Sequence, residues 1–165
     1  QNRVGTRTHQ RSIGSKSTLQ DLEKWVSTLI ETNDWGVGMT HGLTYGYDAF
    51  RNPQRLWDHL DQVKARENEI WVGTFREVAS YIKEREETKL EVVNKKNTLL
   101  ITPELKLDQE LFVEPLTMVI TGKEIKKVTV KQGKRKLPVQ ITDDKVLFDF
   151  DPYGGMIKVT LKIQK

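Results

Sequence analysis

The apolar residues in the first half of the chain recur at helical spacing. Steps of three and four residues separate the members of one stripe, which are Leu19, Leu22, Val26, Leu29 and Ile30. Such a stripe predicts an amphipathic helix with one face packed on a core. The segment Ser17-Thr18-Leu19-Gln20 resembles a capping box that would begin this helix. Asn52-Pro53 marks a second helix start, followed by Leu56, Leu60 and Val63 on one face.

Short apolar runs lie between these helices. Residues 35–40 and Ile70-Trp71-Val72 are predicted as buried strands, and Thr74-Phe75-Arg76-Glu77 resembles a capping box for a third helix. The alternation of strands and helices over residues 1–87 favours a parallel sheet or a piece of a barrel with three strands. Such a piece would expose two sheet edges, so we expect upstream residues or another copy of the chain to cover them.

From about Thr88 the apolar period changes from helical to two. Val146, Phe148 and Phe150 alternate with less apolar or acidic residues, and the segment 157–163 places four aliphatic side chains on one face. Turn residues recur about every ten positions, which is typical of a small antiparallel sandwich. The sequence therefore predicts an α/β part at 1–87 and an independently folding β-sandwich at 88–165, which contributes no catalytic group.

The chain has a formal net charge of +4, and this charge is unevenly divided. Residues 1–87 carry 12 Lys and Arg against 13 Asp and Glu, whereas residues 88–165 carry 15 against 10. The densest basic segment, 131–136, has no interleaved aromatic residues, so it predicts a solvated hairpin tip rather than a nucleic-acid site. There is no cysteine for disulfides or thiolate metal sites, and no apolar run long enough for a membrane span.

His41 is the main candidate for chemistry. It follows the apolar run 35–40 and opens a loop in which Gly42 permits a tight turn. Tyr45 and Tyr47 in this loop supply flat walls for a sugar-sized ligand. A histidine at a strand end can equally be an ordinary loop residue, and that alternative stays open.

The other histidines and the tryptophans are weaker candidates. His9 could join His41 at a metal, although a third ligand is not evident, and His59 is predicted on a helix surface or in a polar contact. Trp25, Trp57 and Trp71 are predicted to pack in the core. Arg11 is predicted to orient a carboxylate or to form a surface ion pair.

Two motifs carry a resemblance to a known family. Trp35-Gly36-Val37-Gly38-Met39-Thr40-His41-Gly42, followed by the segment 70–85, resembles the closing portion of polysaccharide deacetylases of the NodB-homology type, carbohydrate esterase family 4. Arg11-Ser12-Ile13-Gly14 resembles the arginine-bearing strand before it. The match spans residues 7 to 87, about the last third of that catalytic domain. It implies the C-terminal portion of a deformed (β/α) barrel, with an accessory antiparallel sandwich after it.

The resemblance implies hydrolysis of acetyl groups from an N-acetylated glycan. Family members bind a divalent metal, commonly zinc, through an Asp-His-His site, and the motifs for that site precede the portion matched here. His41 would protonate the departing amine, with Gly42, Tyr45, Tyr47 and Arg11 at the substrate. We therefore expect no metal site in this chain, no activity of the chain alone, and an exported parent protein. The alternative is a non-catalytic carbohydrate-binding or structural module.

Overall fold

The computed structural model describes residues 7–122, 125–142 and 144–163. The chain divides into two compact units at the junction between Phe75 and Arg76. The first unit has mixed helix and parallel strand content, and the second is dominated by antiparallel strands. The prediction of an α/β part followed by a mainly β part is therefore confirmed. The described residues form no closed barrel.

The described residues of the first unit form two strands and two helices. In chain order they are β1 (Thr8–Ser12), α1 (Leu19–Thr32), β2 (Trp35–Met39) and α2 (Gln54–Ala65). Strands β1 and β2 pair in parallel, and α1 is the crossover between them. The apolar periods predict α1 and β2. Strand β1 has no apolar residue and is expected only from the resemblance that Arg11-Ser12-Ile13-Gly14 carries.

Local capping explains where α1 begins and ends. Thr18 is the N-cap, and its hydroxyl accepts a hydrogen bond from the Asp21 backbone N–H while the Asp21 carboxylate accepts one from the Thr18 N–H. The capping box therefore starts at Thr18, one residue later than the sequence predicts. Asn33 ends the helix in the left-handed conformation with φ 58°, which asparagine tolerates better than most residues.

Gly36 in β2 allows α1 to approach the sheet closely, and Gly38 leaves room for Ile13, which follows β1. A Cβ at Gly36 would overlap the Leu29 side chain, and one at Gly38 would lie 3.3 Å from Ile13 Cδ1. Ile13, Leu22 and Phe50 form the buried core of this unit, with Leu56 packed against them. The predicted apolar stripe of α1 is confirmed, since Leu22, Val26 and Leu29 are all buried.

The strand predicted at Ile70-Trp71-Val72 is wrong. Residues 70–74 form neither helix nor strand, so the described part of residues 7–75 holds two strands rather than three. Trp71 is 53% exposed and Trp57 is 44% exposed, which also contradicts their predicted core positions. Three apolar residues in a row lack the length to distinguish a strand from an apolar loop without their neighbours.

In the part of the second unit that the structure describes there are one helix and eight strands. They are α3 (Phe75–Glu87), β3 (Lys89–Lys95), β4 (Thr98–Glu104), β5 (Leu116–Thr121), β6 (Ile125–Gln132), β7 (Arg135–Leu137), β8 (Gln140–Ile141), β9 (Lys145–Phe150) and β10 (Ile157–Ile163). Five strands form one sheet in the order β3-β4-β10-β6-β7, and three form another in the order β5-β9-β8. Every pairing in both sheets is antiparallel.

The two antiparallel sheets share one apolar core. Strand β9 contributes Val146, Phe148 and Phe150, and β10 contributes Ile157 and Val159. All five side chains are buried, which confirms the period-two prediction for these strands. The basic segment 131–136 forms the β6–β7 hairpin and turns at Gly133, where φ is 55°. Its four basic side chains are exposed, as predicted.

Helix α3 belongs to the second compact unit from Arg76 onward, whereas the sequence groups it with the first. Tyr81 packs against the core shared by the two sheets. Glu84 is fully buried, and its Oε1 accepts a hydrogen bond of 3.0 Å from the Glu114 backbone N–H. Its Oε2 has no hydrogen-bond partner among the described residues. The independent folding of residues 88–165 stays a prediction.

Glu84→Gln is expected to flatten the dependence of stability on pH. Burial, together with the negative charges of Glu114 and Asp151, raises the pKa of Glu84 despite the Glu114 hydrogen bond. The folded chain therefore keeps this proton at pH values where the unfolded chain has lost it, so stability falls as pH rises above the ordinary glutamate range. Urea unfolding from acidic to neutral pH measures this fall. The exposed Glu86→Gln on the same helix is the control, and equal slopes for wild type and Glu84→Gln would contradict the prediction.

No helix in the described part of the chain combines the length and apolar character required to cross a membrane.

Candidate functional site

The parallel register of β1 and β2 brings their carboxyl ends together. Arg11 lies opposite Gly38 and Ser12 opposite Met39, and the Ile13 N–H donates a 2.8 Å hydrogen bond to the Met39 carbonyl. The turn that follows β1 and the loop that follows β2 therefore start side by side, at the edge of the sheet formed by the carboxyl ends of the strands. In open α/β sheets this edge is where ligands usually bind.

The loop after β2, residues 40–50, is here named the histidine loop. It folds back on itself, since the Phe50 N–H donates a 3.3 Å hydrogen bond to the Gly42 carbonyl. A Cβ at Gly42 would overlap the Tyr45 carbonyl oxygen, so the close approach within the loop requires glycine there. Ala49 and Phe50 are buried, which anchors the end of the loop in the core of the first unit.

The histidine loop is tied to the turn after β1. The Asp48 carboxylate accepts hydrogen bonds from the Ser15 hydroxyl at 2.7 Å and from the Ser15 N–H at 3.2 Å. The Ser15 hydroxyl is the main cause of the lowered pKa of Asp48, so the carboxylate is ionised at neutral pH. Arg55 braces the same turn, because its Nη1 donates to the Ser15 and Ser17 carbonyls at 3.0 Å each.

His41 lies at the start of the loop with its side chain exposed. The Tyr47 ring meets the imidazole edge to face, with 5.4 Å between ring centroids and 79° between ring planes. Tyr45 is 88% exposed and Tyr47 is 83% exposed. An exposed imidazole that contacts one exposed phenol ring, with a second exposed phenol in the same loop, can exchange a proton with a bound ligand and present flat apolar surface to it.

Arg11 makes its contact elsewhere. Its Nη1 donates to the Asp21 backbone carbonyl at 3.4 Å, which directs the guanidinium toward the first turn of α1. The structure thus brings Gly42, Tyr45 and Tyr47 together with His41 in one loop and connects Arg11 to a helix. The roles of all five residues at a substrate stay predictions.

The three histidines occupy unrelated environments. His9 Nε2 lies 2.8 Å from an oxygen of Asp34, whereas His41 contacts Tyr47. His59 is buried on α2, and burial lowers its pKa. Its Nδ1 has no hydrogen-bond partner in the described part of the chain. The predicted surface position of His59 is wrong, because only 5% of the residue is exposed.

The described residues contain no group of three or more His, Cys, Asp or Glu side chains able to hold a metal ion. The resemblance places the zinc ligands of the family before the portion matched here, and the expectation that this chain supplies none of them stays a prediction. His9 and His41 have different partners, so the alternative of a shared metal gains no support.

Sequence reasoning did not identify Ser15, Asp48 or Arg55 as parts of this site. Their side chains hold backbone segments together, and no periodic pattern or motif marks that role. A weak signal was present in Asp48, because aspartate near glycines in a polar loop is one of the few residues that tolerates left-handed backbone.

Comparisons with known proteins leave the family open. No family model matches the chain, and no significant match to a curated protein was found.

Proposed function

We propose that this chain contributes the general acid, His41, and part of the glycan-binding surface of a carbohydrate deacetylase that removes acetyl groups from an N-acetylated glycan. The observation that carries the proposal is the exposed His41 imidazole, which contacts the Tyr47 ring in the loop after the carboxyl end of a parallel strand pair. The exposed Tyr45 lies in the same loop. Exposed aromatic side chains such as these offer flat apolar surfaces on which sugar rings can stack.

The role of His41 is that of a general acid. When the tetrahedral intermediate of amide hydrolysis collapses, the departing nitrogen needs a proton to leave as an amine. An imidazolium can donate this proton, and the exposure of the His41 side chain allows the proton to be replaced from solvent. The attacking water and the group that activates it are not assigned to residues of this chain, so the chain alone should not hydrolyse acetylated sugars.

The parallel pair β1–β2 is proposed to be part of an incomplete deformed (β/α) barrel, and the second unit an accessory β-sandwich. Within the described residues each of the two strands pairs with the other alone. Thr8, Gln10, Ser12 and Met39 are exposed on this small sheet, whereas parallel sheets are normally covered on both faces. We propose that an upstream part of the same protein or another copy of the chain covers the free edges.

Titration of the 165-residue chain with an N-acetylglucosamine tetramer tests the proposal. We expect weak binding that shifts the NMR signals of His41, Tyr45 and Tyr47, because two exposed rings bury little surface. Tyr45→Ala and Tyr47→Ala should each weaken binding about fivefold, the loss of one aromatic contact of roughly 1 kcal/mol. Trp57→Ala, an exposed aromatic residue on α2, is the matched control.

Two outcomes would decide against the proposal. Binding that leaves the histidine loop unshifted would place the glycan elsewhere, and acetate release by the chain alone with added zinc would show a complete catalytic site in it. Glycan binding that depends on the two tyrosines, combined with full activity of a His41→Ala enzyme, would instead support the non-catalytic binding module. Sedimentation of the same samples distinguishes a 19.1 kDa monomer from a dimer.

A further inference from the structure

The contact between the histidine loop and the turn after β1 is built on both backbone and side-chain atoms. A Cβ at Gly14 would overlap the Asp48 carbonyl oxygen, so the backbone at Asp48 rests directly on Gly14. The Asp48 carboxylate also accepts hydrogen bonds from the hydroxyl and the backbone N–H of Ser15. This one position of the loop is therefore held from two sides.

The backbone around this contact has a conformation that needs such support. Asp48 has a φ of 50° and Arg51 a φ of 64°. Gly46, which precedes Asp48 in the loop, has a φ of 113°. Left-handed backbone is unfavourable for residues that carry a Cβ, and it persists where surrounding contacts hold it. The Ser15 hydrogen bonds supply such contacts at Asp48.

The held position is adjacent to the residue that touches the imidazole. Tyr47 directly precedes Asp48, and its ring is the aromatic partner of His41. Both rings project into solvent, so the loop backbone rather than a surrounding core determines where they lie. Displacement of Asp48 would carry Tyr47 with it.

We propose that Asp48 and Ser15 form a latch that positions Tyr47 and, through it, the imidazole of His41. Asp48 is accordingly a positioning residue, because it acts through Tyr47 and does not touch a substrate. The inference rests on the proposed function for the use made of His41, although the latch itself can be measured without any substrate.

The test follows the His41 ring signals of the full 165-residue chain by NMR, below the melting temperature. Tyr47→Leu defines the signal positions of His41 without its aromatic partner. Asp48→Ala should move the His41 signals most of the way toward these positions, and Ser15→Ala part of the way. Asp48→Asn should stay nearer to wild type because asparagine tolerates the left-handed conformation. Thr44→Ala, an exposed change in the same loop, should leave the signals in place.

A contact that only stabilises the loop would give a different result. If Ser15→Ala lowers the melting temperature but leaves the His41 signals unmoved, Asp48 holds the loop without positioning the imidazole, and the proposal is overturned. Ser15→Ala keeps Gly14 and the Ser15 backbone donor, so it provides a readout even if Asp48→Ala does not fold. Failure of glycan binding would leave these signals interpretable, which separates the latch from the proposed function.

Discussion

Replacing His41 by alanine is expected to lower turnover about 10² to 10⁴-fold in a protein that unites this chain with a metal-binding catalytic part, as for the loss of a general acid. The reason is that alanine cannot supply the proton that the departing amine requires. Acetate release from an N-acetylglucosamine oligomer measures turnover, and metal content is determined on the same enzyme.

Metal content separates two roles for this histidine. A general acid can be lost while the metal stays bound, whereas a metal ligand cannot. His9→Ala is the matched control, because His9 is paired with Asp34 and should leave both turnover and metal content near those of wild type. A joint fall of metal content and turnover in His41→Ala would assign His41 as a ligand and would contradict the role proposed here.

Removal of α3 is expected to destabilise the second unit strongly. A fragment of residues 76–165 should unfold cooperatively, whereas residues 88–165 should lose on the order of 3 kcal/mol, roughly what burial of a large side chain contributes. The shorter fragment lacks the Tyr81 ring on the shared core and the Glu84 acceptor for the Glu114 N–H. Thermal and urea unfolding of the two fragments measures the difference.

The two fragments also distinguish two positions of the domain boundary. Equal stability would support the boundary predicted from sequence at 87/88, with α3 as a surface attachment. Tyr81→Ala in the longer fragment serves as the control, because it removes one contact of α3 while keeping the helix. A smaller loss for Tyr81→Ala than for the shorter fragment would show that Glu84 and its neighbours also contribute.

Local patterns determined much of the fold from the sequence alone. The stripe in α1 and the alternation in β9 and β10 predict their buried faces, because a helix or strand that must bury one face repeats its apolar residues with its own period. The prediction of a functional loop at His41 rests on a local feature too, since a strand end, two glycines and two tyrosines are adjacent along the chain.

Tertiary structure decided what depends on contacts between distant segments. Three features follow from which surfaces meet in the folded chain: His59 is buried, the segment at Trp71 is neither helix nor strand, and α3 belongs to the second unit. Apolar periodicity does not determine which surfaces meet. The Asp48 contact joins residues 33 positions apart through one carboxylate. A contact between one side chain and the donors of a distant turn leaves no repeating pattern in the sequence. Only the folded structure therefore shows that Ser15 contacts the histidine loop.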